Sequence, residues 1–163
     1  MTTHDPNLTM LSRREQTILA AIGNAFFPPK GPIAVSGTEA GVVRYFDRYL
    51  ARSARLQRVL MRLLFTFIEL SPFPFGPRRK PFTKLDHADR LTLLDGMSKS
   101  RIYFRRVSFI SIRALMTMAY LSDGRVAQAM GMAPNKDPFG LDEHPARTTD
   151  EIAIEPLAME VAS

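Results

Sequence analysis

The chain has 163 residues, 45% of them hydrophobic and 23% charged, with no cysteine and no tryptophan. That is one domain's worth of chain with enough apolar content for a core; it excludes a fully disordered chain, a collagen, a disulfide scaffold and any metal site built on thiolates. The net charge of +6 conceals a split, because residues 1–132 carry 20 Lys and Arg against 9 Asp and Glu while residues 133–163 carry 2 against 7.

Residues 1–10 read as a flexible N-terminus. Ser12 with Glu15 three residues on forms a capping-box pattern, with Leu11 as hydrophobic staple, and predicts a helix to Phe27 that buries Ile18, Leu19, Ile22 and Phe26. Pro28-Pro29 ends it. The same Ser12-Arg13-Arg14 segment imitates a twin-arginine export signal, but Glu15-Gln16-Thr17 stands where such signals turn apolar, and Gly23-Asn24 interrupts the stretch. The helix reading is preferred. Thr38 is expected to cap a second helix, with Glu39 in its first turn and Val42, Val43, Phe46, Tyr49 and Leu50 facing inward.

The third helix has the clearest periodicity. Leu56, Val59, Leu60, Leu63, Leu64, Phe67 and Ile68 make one stripe, which the pattern assigns to the core. Arg44, Arg48, Arg52, Arg55, Arg58 and Arg62 fall within a sector of about 120° if helices two and three are continuous. A break with Ser53 as a fresh N-cap would split that stripe. Residues 71–84 hold four prolines and three phenylalanines and are expected to be irregular or polyproline-like. Leu85 as staple and Asp86 as N-cap open a fourth helix through Met97, with Leu91 and Leu94 inward. A fifth helix from Ser98 or Ser100 to Tyr120 or Leu121 is apolar on nearly every side from Val107 on, so it is expected to be the central element. Its apolar run, Val107 to Leu121 broken by Arg113, is shorter than the about 20 uncharged residues that span a membrane. Asp123 to Met132 predicts a short helix closed by Gly131, and Met97, Met116, Met118 and Met130 read as core filler. Residues 133–163 read as an extended acidic tail, mobile or partner-bound. The fold class is therefore all-α, with five or six helices around a long apolar one at about 100–121, a helical domain at 11–132 and the tail beyond.

Catalytic chemistry is hard to assemble from these residues. His4, His87 and His144 lack a second ligand at helical spacing, no serine sits in a nucleophile elbow, and no phosphate loop or dinucleotide fingerprint occurs. A subunit, chaperone or binding module fits better than an independent enzyme.

The order of motifs then becomes informative. Leu11-Ser12 with Glu15 opens a helix ending in a Phe-Pro pair; Gly41-Val42-Val43-Arg44-Tyr45-Phe46-Asp47 follows; later come Phe82-Thr83-Lys84-Leu85-Asp86 with Arg90 and Leu91, and a long helix leading to Tyr120-Leu121-Ser122-Asp123 and Gly131. This order resembles the gluconate 2-dehydrogenase subunit 3 family over about residues 11–132. Pro72-Phe73-Pro74-Phe75 followed by Phe82 is also similar to the helical region preceding the flavin domain in long-chain fatty alcohol oxidases. The resemblance implies a noncatalytic small subunit that docks on, stabilises or matures a separately encoded FAD-dependent oxidoreductase of the glucose-methanol-choline type. FAD is expected in that partner, acting on an alcohol, sugar or related hydroxyl substrate, and no cofactor is expected on this chain. An electron-acceptor protein is a further candidate member of the complex, as the cytochrome subunit is in membrane-bound sugar dehydrogenases of this type. Small subunits there usually carry a twin-arginine signal, from which this sequence departs; a cytoplasmic complex is expected, a periplasmic one requiring export through Ser12-Arg13-Arg14 or a partner.

For the interface, the candidates are Phe73, Phe75, Phe82 and Phe139 as aromatic anchors, Arg78, Arg79 and Lys80 beside them, and Arg55, Arg58 and Arg62 on the arginine stripe. The competing readings place the three loop phenylalanines in the chain's own core and leave the arginines on a solvated helix face. At the level of function the alternatives are a basic nucleic-acid binder and a free-standing helical interaction module. Nucleic acid is disfavoured, since no helix-turn-helix spacing or stacking platform is present.

Overall fold

Helix α1 (Arg13–Phe26) begins where Ser12 stops being helical: the Ser12 hydroxyl accepts from the Glu15 N–H, and the Glu15 carboxylate accepts from the Ser12 N–H at 2.8 Å. The capping box is therefore formed, and Leu11 is buried beside it. The computed structural model describes residues 8–76 and 78–132, so most of the N-terminus and the whole acidic tail, including Phe139, His4 and His144, lie outside the described residues. Ile18, Leu19 and Ile22 are buried as the spacing requires, with Phe26 packing at the margin.

Among the described residues the chain is all helical, without strands. Helix α2 (Val42–Arg52), α3 (Arg55–Leu70), the single turn α4 (Pro72–Phe75), a 3-10 turn at Phe82–Lys84, α5 (His87–Ser98), α6 (Tyr103–Leu121) and α7 (Gly124–Ala129) follow α1 in order. Helix α1 lies against α2, α3, the 3-10 turn, α5 and α6, while α5 packs along α6 and α7 rests on α6. The core joins Leu19 and Ile22 to Phe46 and Leu50, Phe65 and Ile68, Phe82, Leu93 and Met97, and Ile112 and Met116.

Several boundaries and faces differ from the sequence expectation for local reasons. Helix α2 starts at Val42, after a left-handed Gly41 (φ 70°), not at Thr38. Thr38 instead donates its N–H and hydroxyl to Asn24 Oδ1, while Ser36 and Glu39 bond each other reciprocally. This brings the loop onto α1 so closely that a Cβ on Gly37 would stand 2.5 Å from the Gly23 carbonyl. Helices α2 and α3 are separate, because Ser53 and Ala54 are both extended. Ala54, not Ser53, occupies the N-cap position; the Ser53 hydroxyl donates back to Tyr49 O. The proline-rich segment is not wholly irregular: Pro72 starts one helical turn, as proline can where its missing N–H would have been unpaired anyway. In α5 the inward residues are Leu93, Leu94 and Met97, and Leu91 faces out.

Helix α6 is the longest, yet Tyr103, Phe104, Ile110 and Met118 are exposed, so it is not enclosed by the others; Met130 is exposed too, leaving only Met97 and Met116 of the four methionines as core. The more enclosed helix is α1, buried at Gln16 and from Ile18 through Gly23.

Two carboxylates act as clasps. Asp47, 7% exposed, accepts from the N–H groups of Thr9, Met10 and Leu11 at 3.3, 2.8 and 3.0 Å, which ties the entry of α1 to α2. Asp123 caps α7, accepting from the Arg125 and Val126 N–H groups. The Arg125 side chain, bonded to it, holds that carboxyl below the usual aspartate range. Asp47→Ala should cost about 2–4 kcal/mol in chemical denaturation, since it strands three backbone donors, one of them buried. For Asp123 the depressed folded value means a contribution present above the ordinary value near about pH 4 and lost as pH falls through the folded value. Asp123→Asn should flatten that acid limb in denaturation midpoints taken across the range.

Candidate docking surface

The residues that turn α3 are its inward ones. Met61, Phe65, Ile68 and Glu69 are buried, with Phe65 edge-on to Phe46 at 5.7 Å. At 100° per residue they occupy one side of the helix, and Leu56, Val59, Leu63 and Leu70 fall on the other. Leu56 is 70% exposed and Leu63 60%. Leu60 is also exposed, and Phe67 sits at the margin towards α6. The stripe expected in the core thus mostly points away from it, with Ile68 its buried edge. The orienting signal in the sequence is the shorter set Met61, Phe65 and Ile68, which the longer leucine stripe outweighs by count.

Glu69 explains the orientation. Its carboxylate is buried and accepts from Thr83, N–H at 3.1 Å and hydroxyl at 2.8 Å. Arg90 of α5 donates to the carbonyls of Phe82 and Thr83 at 3.1 and 2.9 Å and covers the Phe82 ring. Phe82, held this way, has no exposed surface at all. It belongs to the core and is corrected here from the candidate anchors.

Phe73 and Phe75 differ from Phe82: both are partly exposed on α4. Phe75 lies over the buried Arg105 guanidinium of α6 at 4.4 Å, a cation–π contact that holds the turn against the helix. Phe73, with Phe67, Leu70, Ser71 and Pro74, lines an open apolar hollow of about 400 Å³. Phe67 meets Phe104 edge-on at 4.9 Å, which carries the apolar surface across to α6, where Tyr103 is 72% and Phe104 61% exposed. The outward face of α3, the turn α4 and the start of α6 therefore leave large apolar side chains exposed, a feature that marks interaction sites where such residues cluster.

The arginines divide. Arg58 donates to Ser53 O at 2.9 Å and Ala51 O at 3.3 Å, closing the end of α2. Arg62 donates to Met10 O at 2.9 Å and pairs with Glu15 at 3.2 Å. Both serve the chain's own fold. Arg55 is exposed at the start of α3, at the rim of the leucine face. Arg78 pairs with Asp89 at 3.1 Å and with Asp86 at 3.7 Å; Arg79 and Lys80 are exposed next to it. Among the described residues no three His, Asp or Glu side chains converge as a metal site would need, and no helix is long and apolar enough to cross a membrane.

If the leucine face is external, Leu56→Gln with Leu63→Gln should change unfolding free energy by less than about 1 kcal/mol, while Phe65→Ala should cost about 3–5 kcal/mol. Denaturant titration of the three chains measures both. Compared with protein-family models, curated proteins and solved structures, the chain matches none.

Proposed function

We propose that this chain is a noncatalytic helical subunit that docks through the outward face of α3, α4 and α6 onto a larger FAD-dependent oxidoreductase of the glucose-methanol-choline type, and that it stabilises or matures that enzyme. The observation that carries the docking is the leucine face itself: four leucines, a valine and Phe73, Tyr103 and Phe104 stand in water on a chain whose core is complete without them. Aromatic side chains and arginine are enriched at protein interfaces, and burying the leucines against a partner removes apolar area from water on both sides. The choice of partner rests on the order of the capped first helix, the Gly41-to-Asp47 segment and the Phe82-to-Asp86 segment with Arg90.

On this reading FAD and the hydroxyl substrate belong to the large subunit, and an electron acceptor meets that subunit also. The capped helix at Ser12 favours a complex assembled in the cytoplasm. The nucleic-acid alternative loses its main support, because the arginine stripe is split at Ser53–Ala54 and Arg58 and Arg62 are engaged by carbonyls of this chain.

Coexpression with a glucose-methanol-choline type flavoprotein from the adjacent genes, which this reading expects there, should give one copurifying complex. Leu63→Asp with Phe73→Asp should weaken that complex at least about 100-fold, the loss expected when anchors at the centre of an interface become charged, with the far-ultraviolet helical signal retained. A chain that runs as a separate monomer, beside a flavoprotein fully stable and active without it, would overturn the reading.

A further inference from the structure

A guanidinium is buried beneath the aromatic turn. Arg105, in the first turn of α6, is 9% exposed, and its Nε is enclosed without a hydrogen-bond partner among the described residues. The Phe75 ring lies over it at 4.4 Å, but a ring face does not replace the hydration that a buried cation gives up. Arg90 shows how the chain treats such a group elsewhere. It also covers a ring, that of Phe82, yet it donates to the carbonyls of Phe82 and Thr83, and Glu69 and Asp86 stand near enough to favour its charged form. For Arg105 burial alone acts, lowering its pKa without an offsetting carboxylate among the described residues.

The surroundings suit an anion. Helix α6 starts after Ile102 without a side-chain cap, so its first N–H groups and its dipole add positive charge to the end that carries Arg105 and the exposed Arg106. The one acid of α3, Glu69, is bonded to Thr83, and α4 and α6 contain none. On the side of α5 the residue facing the Arg105 Nη2 is Gly96, where a Cβ would stand 3.6 Å away, so α5 places no side chain there. Its neighbour Asp95 is bonded to Lys99 at 2.8 Å. Ser71, at the head of the aromatic turn, is 2% exposed and its hydroxyl is unpartnered as well.

We propose that Arg105 is the receptor for a carboxylate of the docking partner, an Asp or Glu side chain of the flavoprotein that enters between the Phe75 ring and Gly96 and pairs with the guanidinium. This rests on the docking reading above and adds the chemistry of one contact within it. The planar fork of Arg105 meets the two carboxylate oxygens. Phe75, Phe104 and the leucines of α3, closing on the same partner, keep water from the pair. A free anion lacks that apolar cover, which is why the site is assigned to a side chain of the protein that docks.

Two measurements test it. In the free chain the Arg105 Nε–H resonance, assigned by its loss in Arg105→Lys, should shift saturably as sodium acetate replaces sodium chloride at constant ionic strength. A resonance that acetate leaves unmoved would overturn the proposal, as would one that sodium phosphate moves and acetate does not. With the coexpressed flavoprotein, Arg105→Met should weaken the complex at least about 30-fold, the loss expected on removing one member of a buried charge pair. The free Arg105→Met chain should unfold at a denaturant midpoint equal to or above wild type, because an uncompensated buried charge has gone. A lowered midpoint would place Arg105 in the chain's own packing and contradict the site. A complex that ignores Arg105→Met, yet is broken by Leu63→Asp with Phe73→Asp, overturns this proposal and leaves docking intact. A wild-type chain that forms no complex overturns docking and, with it, the source of the carboxylate.

Discussion

A buried carboxylate sets the rotation of α3, and with it the character of the whole surface. Glu69 sits 4% exposed among apolar side chains, a position whose cost is several kcal/mol for an uncompensated charge. Thr83 compensates it with two donors, and Thr83 is in turn fixed because Arg90 holds the carbonyls of residues 82 and 83. The turn at Phe82–Lys84 cannot move outward without exposing Phe82, a ring with no accessible surface. Helix α3 must therefore present Glu69, Ile68 and Phe65 inward, and its leucines are carried to the opposite side.

The sequence is legible where one residue type answers one local need. Ser12 with Glu15, and Asp86 before α5, mark helix starts because free N–H groups require an acceptor at that spacing, and both caps form. The all-helical class follows from apolar periodicity alone. What periodicity does not convey is direction. In α3 two apolar faces compete, and the larger is external because the smaller carries Glu69, whose partner Thr83 lies 14 residues away. The same limit explains Leu91 and Leu93 in α5, and the apolar outer side of α6. Thr38 misleads for a related reason: an N-cap residue has another acceptor-donor partner, Asn24, brought near by the Gly23–Gly37 approach.

The candidate site was legible in part and scattered. Phe73 and Phe75 share a short stretch with Phe82, but one buried clamp separates their fates. Arg58 and Arg62 share a stripe with Arg55, but carbonyls at Ser53 and Met10 claim them. The charge of +6 is thus a poor guide to partners, since Arg58, Arg62 and Arg90 donate to carbonyls of the chain itself. The apolar surface on α3, α4 and α6 is the more telling feature. It comprises the exposed leucines of α3, the aromatic turn and Phe104, which meets Phe67 edge-on, and clustered exposed apolar residues mark interaction sites.

The absence of native cysteine allows the most direct measurement, the thiol-labelling rate of Leu63→Cys in the folded free chain and again in complex with the coexpressed flavoprotein. An external docking face predicts labelling of the free chain within about tenfold of an unfolded thiol, and slowing by at least about tenfold in the complex. A thiol already shielded in the free chain, or one labelled equally fast with the flavoprotein present, would contradict the account.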